Sequence, residues 1–199
     1  AVAVRGDTAY VAQFAVGRNA IRRFQTRTMT LIDSVASLNF DKPHGVQTTP
    51  DGKEVWITGN STDNIVVVNM ADASTELIQL NNQPPGSGFV LLPYQTAMSS
   101  DNRFVYVADL GKDEIAVYNF DASSGKLTPH TVAALKPGSG PRHIAFSRDR
   151  RYLYVVNELT ATVSTLRHDA ATASLEELQT ISTLPIGYRG DKSAAEIAV

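Results

Sequence analysis

Cysteine is absent from all 199 residues, which removes disulfides, thiolate nucleophiles and cysteine-ligated metals from consideration. Charge of one sign is missing too. Eighteen basic side chains against 20 acidic ones leave a net charge of −2, so nothing marks the chain for nucleic acid or an anionic membrane. No apolar run reaches the roughly 18 residues a membrane span needs, and no signal-peptide pattern is present. His44, His130, His143 and His168 show no metal-ligand spacing, no Walker or dinucleotide fingerprint occurs, and neither metal nor cofactor is expected. Helical periodicity is missing as well. The compartment is left open, with a soluble, cytoplasmic chain as the working expectation. The first residue is not methionine, which fits a chain that is processed, tagged or cut from something longer.

What is present is a repeat. Pro50-Asp51-Gly52-Lys53-Glu54-Val55-Trp56-Ile57, Ser100-Asp101-Asn102-Arg103-Phe104-Val105-Tyr106-Val107 and Arg148-Asp149-Arg150-Arg151-Tyr152-Leu153-Tyr154-Val155 each combine a tight turn, a basic residue and a β-branched and aromatic run. The markers Trp56, Tyr106 and Tyr154 lie 50 and 48 residues apart, and a fainter copy at Gly6-Asp7-Thr8-Ala9-Tyr10-Val11 precedes them by 45. Short strands at this period indicate propeller blades, four-stranded sheets that bury their faces only against neighbours. Four strand signals fit each unit: 1–4, 9–13, 20–24 and 31–38; 45–48, 55–58, 64–70 and 76–80; 94–98, 104–108, 114–120 and 127–135; 143–146, 152–156, 162–166 and 175–184. The fold class is therefore an all-β propeller of antiparallel blades, at about 1–41, 42–88, 89–140 and 141–192. Residues 193–199 are expected to be the first strand of a further blade. Because ring closure is how a propeller removes its sheet edges, the chain is expected to be part of a larger ring or to complete one with a second copy.

In such a blade the start of the first strand and the end of the second lie at one mouth of the central channel. Repeat alignment puts His44, Tyr94, Arg142 and Ala195 at one equivalent position, and Gly45, Gln95, His143 and Glu196 at the next. Asp109 and Asn157-Glu158 end second strands, with Lys112 just beyond Asp109. This set suits acid/base chemistry on a small anionic ligand. The fork of Arg142 matches a carboxylate or phosphate, and His143 and Glu158 can exchange protons. Polar, wet mouths are also common where nothing is catalysed. A non-catalytic scaffold presenting its faces to a protein or glycan therefore stays open, as does a half-propeller forming a homodimer.

Other motifs carry less. Pro84-Pro85-Gly86-Ser87-Gly88 and Pro137-Gly138-Ser139-Gly140-Pro141 superficially match glycine-rich phosphate loops, but no helix follows either, and both read as turns between blades. Arg5-Gly6-Asp7 and Arg189-Gly190-Asp191 are three-residue adhesion matches at turns, and Asn60-Ser61-Thr62 is a glycosylation sequon of meaning only in a secretory setting.

From about residue 93 onward the sequence resembles the lactonase family of seven-bladed propellers, which includes bacterial phosphogluconolactonase and fungal carboxy-muconate lactonising enzyme. The resemblance is carried by Val107-Ala108-Asp109-Leu110-Gly111-Lys112-Asp113, Gly138-Ser139-Gly140-Pro141-Arg142-His143-Ile144-Ala145-Phe146, Tyr154-Val155-Val156-Asn157-Glu158-Leu159, Gln179-Thr180-Ile181-Ser182-Thr183-Leu184-Pro185 and Ser193-Ala194-Ala195-Glu196-Ile197. Where that family often carries a histidine opening the blade before Pro141-Arg142-His143, Tyr94 stands here. The resemblance implies seven blades, a catalytic group of Arg142, His143 and Glu158, and a surround of Asp109 and Glu196. Together with the mouth positions Lys112, Tyr94, Gln95, His44 and Asn157, these would receive a small sugar-acid or dicarboxylic lactone, hydrolysed or formed without a cofactor.

Overall fold

The computed structural model describes residues 2–13, 19–36, 42–59, 64–80 and 93–199. Every regular element among them is a strand. The first sheet holds β1 (Val2–Arg5), β2 (Thr8–Gln13), β3 (Ala20–Gln25) and β4 (Leu31–Ala36), and the second β5 (Pro43–Thr48), β6 (Glu54–Gly59), β7 (Asn64–Asn69) and β8 (Thr75–Gln79). The third holds β9 (Pro93–Met98), β10 (Phe104–Asp109), β11 (Glu114–Asp121) and β12 (Lys126–Ala134), and the fourth β13 (Pro141–Phe146), β14 (Tyr152–Asn157), β15 (Thr162–His168) and β16 (Leu175–Ser182). All four are antiparallel meanders in sequence order, the blades that the repeat predicts. The Asn60-Ser61-Thr62 sequon and the Pro84 to Gly88 turn lie outside the described residues.

The repeated turn owes its spacing to one hydrogen-bond pattern between first and second strands. Thr49, Ser99 and Ser147 donate their hydroxyls to Asp51, Asp101 and Asp149 at 2.6, 2.6 and 2.7 Å. The same three carboxylates accept the backbone N–H of Lys53, Arg103 and Arg151. The hydroxyls in turn accept the N–H of Glu54, Phe104 and Tyr152, the residues that open the second strands. A left-handed residue completes each turn: Gly52, Asn102 or Arg150, at φ 74°, 60° and 61°. The motif noticed in the sequence is thus a side-chain-capped turn that starts each second strand in register.

Alternation along the second strands locks blade to blade. Val55 and Ile57 of β6 pack toward the first sheet with Tyr10 and Ile21, while Trp56 faces the third with Val105, Val107 and Tyr118. One blade further on, Phe104, Tyr106 and Ala108 face the fourth sheet and meet Ile144, Leu153, Val155 and Leu166. Each inner blade is buried on both faces, which is why its strands read as near-continuous apolar runs. Strands β1, β5, β9 and β13 lie side by side in that order, so the first strands form the inner edge. Val2 and Val4 at one end of the arc, and Leu178 and Ile181 at the other, remain exposed.

Residues 191–199 carry no strand. They run back past the inner end of β14, where Ala194 N–H reaches the carbonyl of Glu158 at 3.4 Å.

Candidate active site

Three first strands share an irregularity at one end. In β9, Tyr94 is an extra residue between the pairs Pro93↔Asp109 and Gln95↔Ala108, and in β13 Arg142 is extra between Pro141↔Asn157 and His143↔Val156. In β5 the pairs Pro43↔Gly59 and Val46↔Ile57 leave His44 and Gly45 sharing Thr58. A β-bulge of this kind bends the strand and re-aims the inserted side chain. Each bulge follows a proline at the first position of its strand, where the missing N–H is tolerated.

The re-aimed side chains converge. Arg142 Nη1 donates to Glu158 Oε2 at 2.6 Å, and Nη2 lies 3.1 Å from His44 Nε2. His44 Nδ1 sits 3.3 Å from the carbonyl of Tyr94. Arginine only donates, so His44 Nε2 accepts from Arg142 and its Nδ1–H points to Tyr94. The Tyr94 ring lies edge-on to His44 at 4.7 Å and under the Arg142 guanidinium at 5.1 Å. His143, only 4 % exposed, stands 5.5 Å from His44 ring to ring. Its Nδ1 lies 2.7 Å from Glu196 Oε1, and its Nε2 has no partner among the described residues.

Burial sets the charge states of the two imidazoles. It pushes His44 down to about 4, aided by the positive Arg142 and opposed by the bond to Tyr94. Burial also lowers His143, and the nearby Glu196 carboxylate only partly offsets it. Near neutral pH the Arg142 cation therefore stands between neutral imidazoles and flanking carboxylates.

Three comparisons bear on this arrangement. Residues 92–199, which include Tyr94, Arg142, His143, Glu158 and Glu196, match the profile of the family described as "Lactonase, 7-bladed beta-propeller". The chain belongs to this lactonase family. A 6-phosphogluconolactonase of Pectobacterium carotovorum is 36% identical over 108 residues, 53% of this chain and 32% of that protein. One from Serratia proteamaculans is 34% identical over 109 residues, 54% of this chain and 33% of the relative. The chain thus spans about a third of the length of the curated relatives it matches. Among solved structures, a Lactobacillus plantarum protein superposes with a TM-score of 0.74 at 24% identity, over 94% of this chain and 57% of that one. The periplasmic gluconolactonase of Pseudomonas aeruginosa gives 0.73 at 24% identity, over 93% and 57%. At that identity the superpositions establish the propeller fold.

Within the lactonase frame the other expected site residues have visible local duties. Asp109 accepts the N–H groups of Gly111 and Lys112, closing the turn after β10. Lys112 pairs with Glu114 at 3.9 Å. Asn157 donates to Thr162 and Ser164 within its own blade. Gln95 accepts Ile144 N–H at 2.7 Å, tying the inner edges of the third and fourth sheets together. Sequence reasoning passed over Thr58 and the role of Gly45. The Thr58 hydroxyl accepts Gly45 N–H and donates to Tyr94 O, both at 2.9 Å, and a Cβ on Gly45 would lie 2.5 Å from that carbonyl. Glycine in a column that elsewhere holds Gln95, His143 and Glu196 was the available signal for this close approach. Pro43, Pro93 and Pro141, each directly before a mouth residue, were the signal for the bulges.

Proposed function

We propose that the mouth formed by His44, Tyr94, Arg142, His143 and Glu158 hydrolyses or forms a lactone of a small sugar acid or dicarboxylic acid, without a cofactor. The observation that carries the reading is the meeting of Arg142 with Glu158 and with His44, 98 residues away, beside a buried neutral His143, within a chain of the lactonase family. The relatives named 6-phosphogluconolactonase make a sugar-acid lactone the first substrate class to test.

In the hydrolytic direction, an imidazole or carboxylate of the mouth takes a proton from water as the water oxygen bonds to the lactone carbonyl carbon. Arg142 N–H groups steady the oxyanion that develops. Collapse breaks the ring C–O bond, and the proton passes to the departing alkoxide, giving the hydroxy acid. Glu158 holds Arg142; when substrate oxygens take over that guanidinium, the carboxylate is freed as the second proton carrier. An anionic lactone or carboxylate suits this exchange because it replaces one carboxylate on Arg142 with another. Such a pairing also supports the rival reading, in which the Arg142–Glu158 contact is structural and the propeller is a scaffold.

Hydrolysis assays across phosphorylated sugar lactones and carboxylated muconolactones separate the two. Turnover that disappears in E158Q and R142Q while both variants stay folded is the expected result. No turnover on any substrate of the panel overturns the enzymatic reading in favour of the scaffold.

A further inference from the structure

The Pro137-Gly138-Ser139-Gly140-Pro141 loop, similar in sequence to a phosphate cradle, already holds an anion of its own chain. Asp113, on the turn between β10 and β11 of the preceding blade, accepts Gly138 N–H on Oδ2 and Gly140 N–H on Oδ1, both at 2.7 Å. The Ser139 hydroxyl approaches Oδ1 more loosely, at 3.5 Å. Two amides aimed at the two oxygens of one carboxylate form a small anion nest. The loop also reaches the other side of the mouth: Gly140 O accepts Glu158 N–H at 2.7 Å, and Ser139 O accepts Leu159 N–H at 3.2 Å. Gly140 is left-handed at φ 63°, and a Cβ there would lie 2.6 Å from Leu159 Cγ. Arg142 follows Gly140 by two residues along the chain, so one loop sets the backbone on both sides of the Arg142–Glu158 pair.

We infer that Asp113 is a positioning residue for the site: its carboxylate clamps the 138–140 loop and thereby fixes where Arg142 and Glu158 stand relative to each other and to His44. The inference rests on the reading of this mouth as the active site, but its structural half can be tested without turnover. Asp113 sits at φ 56°, a conformation asparagine tolerates. D113N therefore keeps the turn and replaces one acceptor oxygen with an amide that faces an N–H.

The test follows His44 through a pH titration by NMR, alongside steady-state kinetics on the native full chain and D113N. Because the Arg142 charge helps to depress His44, displacement of Arg142 should raise the His44 midpoint by about half a unit or more. With a lactone substrate, kcat should fall about tenfold with a smaller change in KM, as misalignment of reacting groups does. A His44 midpoint and a kcat both unchanged in D113N overturn the inference. A raised midpoint in a chain that hydrolyses no lactone supports the clamp and overturns the enzymatic reading instead. Should D113N not fold, hydrogen exchange in the native chain decides: a Gly140 amide slowed to the level of β13 is expected, and one exchanging as freely as an exposed loop contradicts the clamp.

Discussion

At the scale of single residues, His44 is the most informative probe. Its folded midpoint of about 4 lies below the ordinary 6.5, so between those values the unfolded chain binds a proton that the folded chain refuses. The contribution of His44 to stability is accordingly full above pH 6.5, falls as the pH drops from 6.5 to 4, and levels off below. In R142Q the loss of the neighbouring charge should move the His44 midpoint upward and shrink this pH dependence; NMR titration with urea unfolding at several pH values checks both. Gly45 offers a second residue test. A methyl group driven against the Tyr94 carbonyl and Thr58 Oγ1, at 2.5 and 2.6 Å, should cost G45A about 1–3 kcal/mol by urea unfolding. It should also disturb the His44 titration, because the first strands must part. How the mouth residues share their contacts could not be read from sequence. Alignment placed His44, Tyr94 and Arg142 in one column, but a column does not show that His44 would accept from Arg142 or that Asp109 would be spent on its own turn.

At the scale of elements, the capped turn explains why the strands were legible. A hydroxyl, a carboxylate two residues on, a left-handed residue and a base recur before Trp56, Tyr106 and Tyr154, so local chemistry and strand pattern agree. Ser99 shows the strength of the device, since its Oγ accepts the buried Phe104 N–H at 2.9 Å while donating to Asp101. S99A leaves that N–H without its acceptor and should cost about 1–3 kcal/mol in denaturant unfolding. The capping carboxyls also resist acid. Asp149 is held at about 2, first by the Ser147 hydroxyl and then by Arg151, so its contribution is intact above pH 3.8 and fades toward 2. The bulges were less legible. Strand patterns began at 45, 94 and 143, whereas β5 and β13 begin at Pro43 and Pro141, because a bulge breaks the alternation that marks a strand.

At the scale of the molecule, no blade buries its faces alone. Leu153, fully buried between the third and fourth sheets, and Trp56, buried between the second and third, lie in separate clusters that share the third sheet. L153A should cost about 2–5 kcal/mol and lower the unfolding midpoint reported by Trp56 fluorescence; an unmoved Trp56 transition would mean that the blades unfold independently. The period and the alternating faces specified this architecture from sequence, since both are local patterns repeated. The site was less accessible because it is a meeting of residues separated by up to 98 positions, as in the contact between Arg142 and His44. The most direct test of the site is a double-mutant cycle on its Arg142–Glu158 pair, read as kcat/KM for lactone hydrolysis in R142Q, E158Q and the double variant. If the two side chains act as one catalytic unit, each single change removes nearly all the activity, and the double variant is little worse than either. Independent, additive losses, or undiminished turnover in the single variants, would contradict the account.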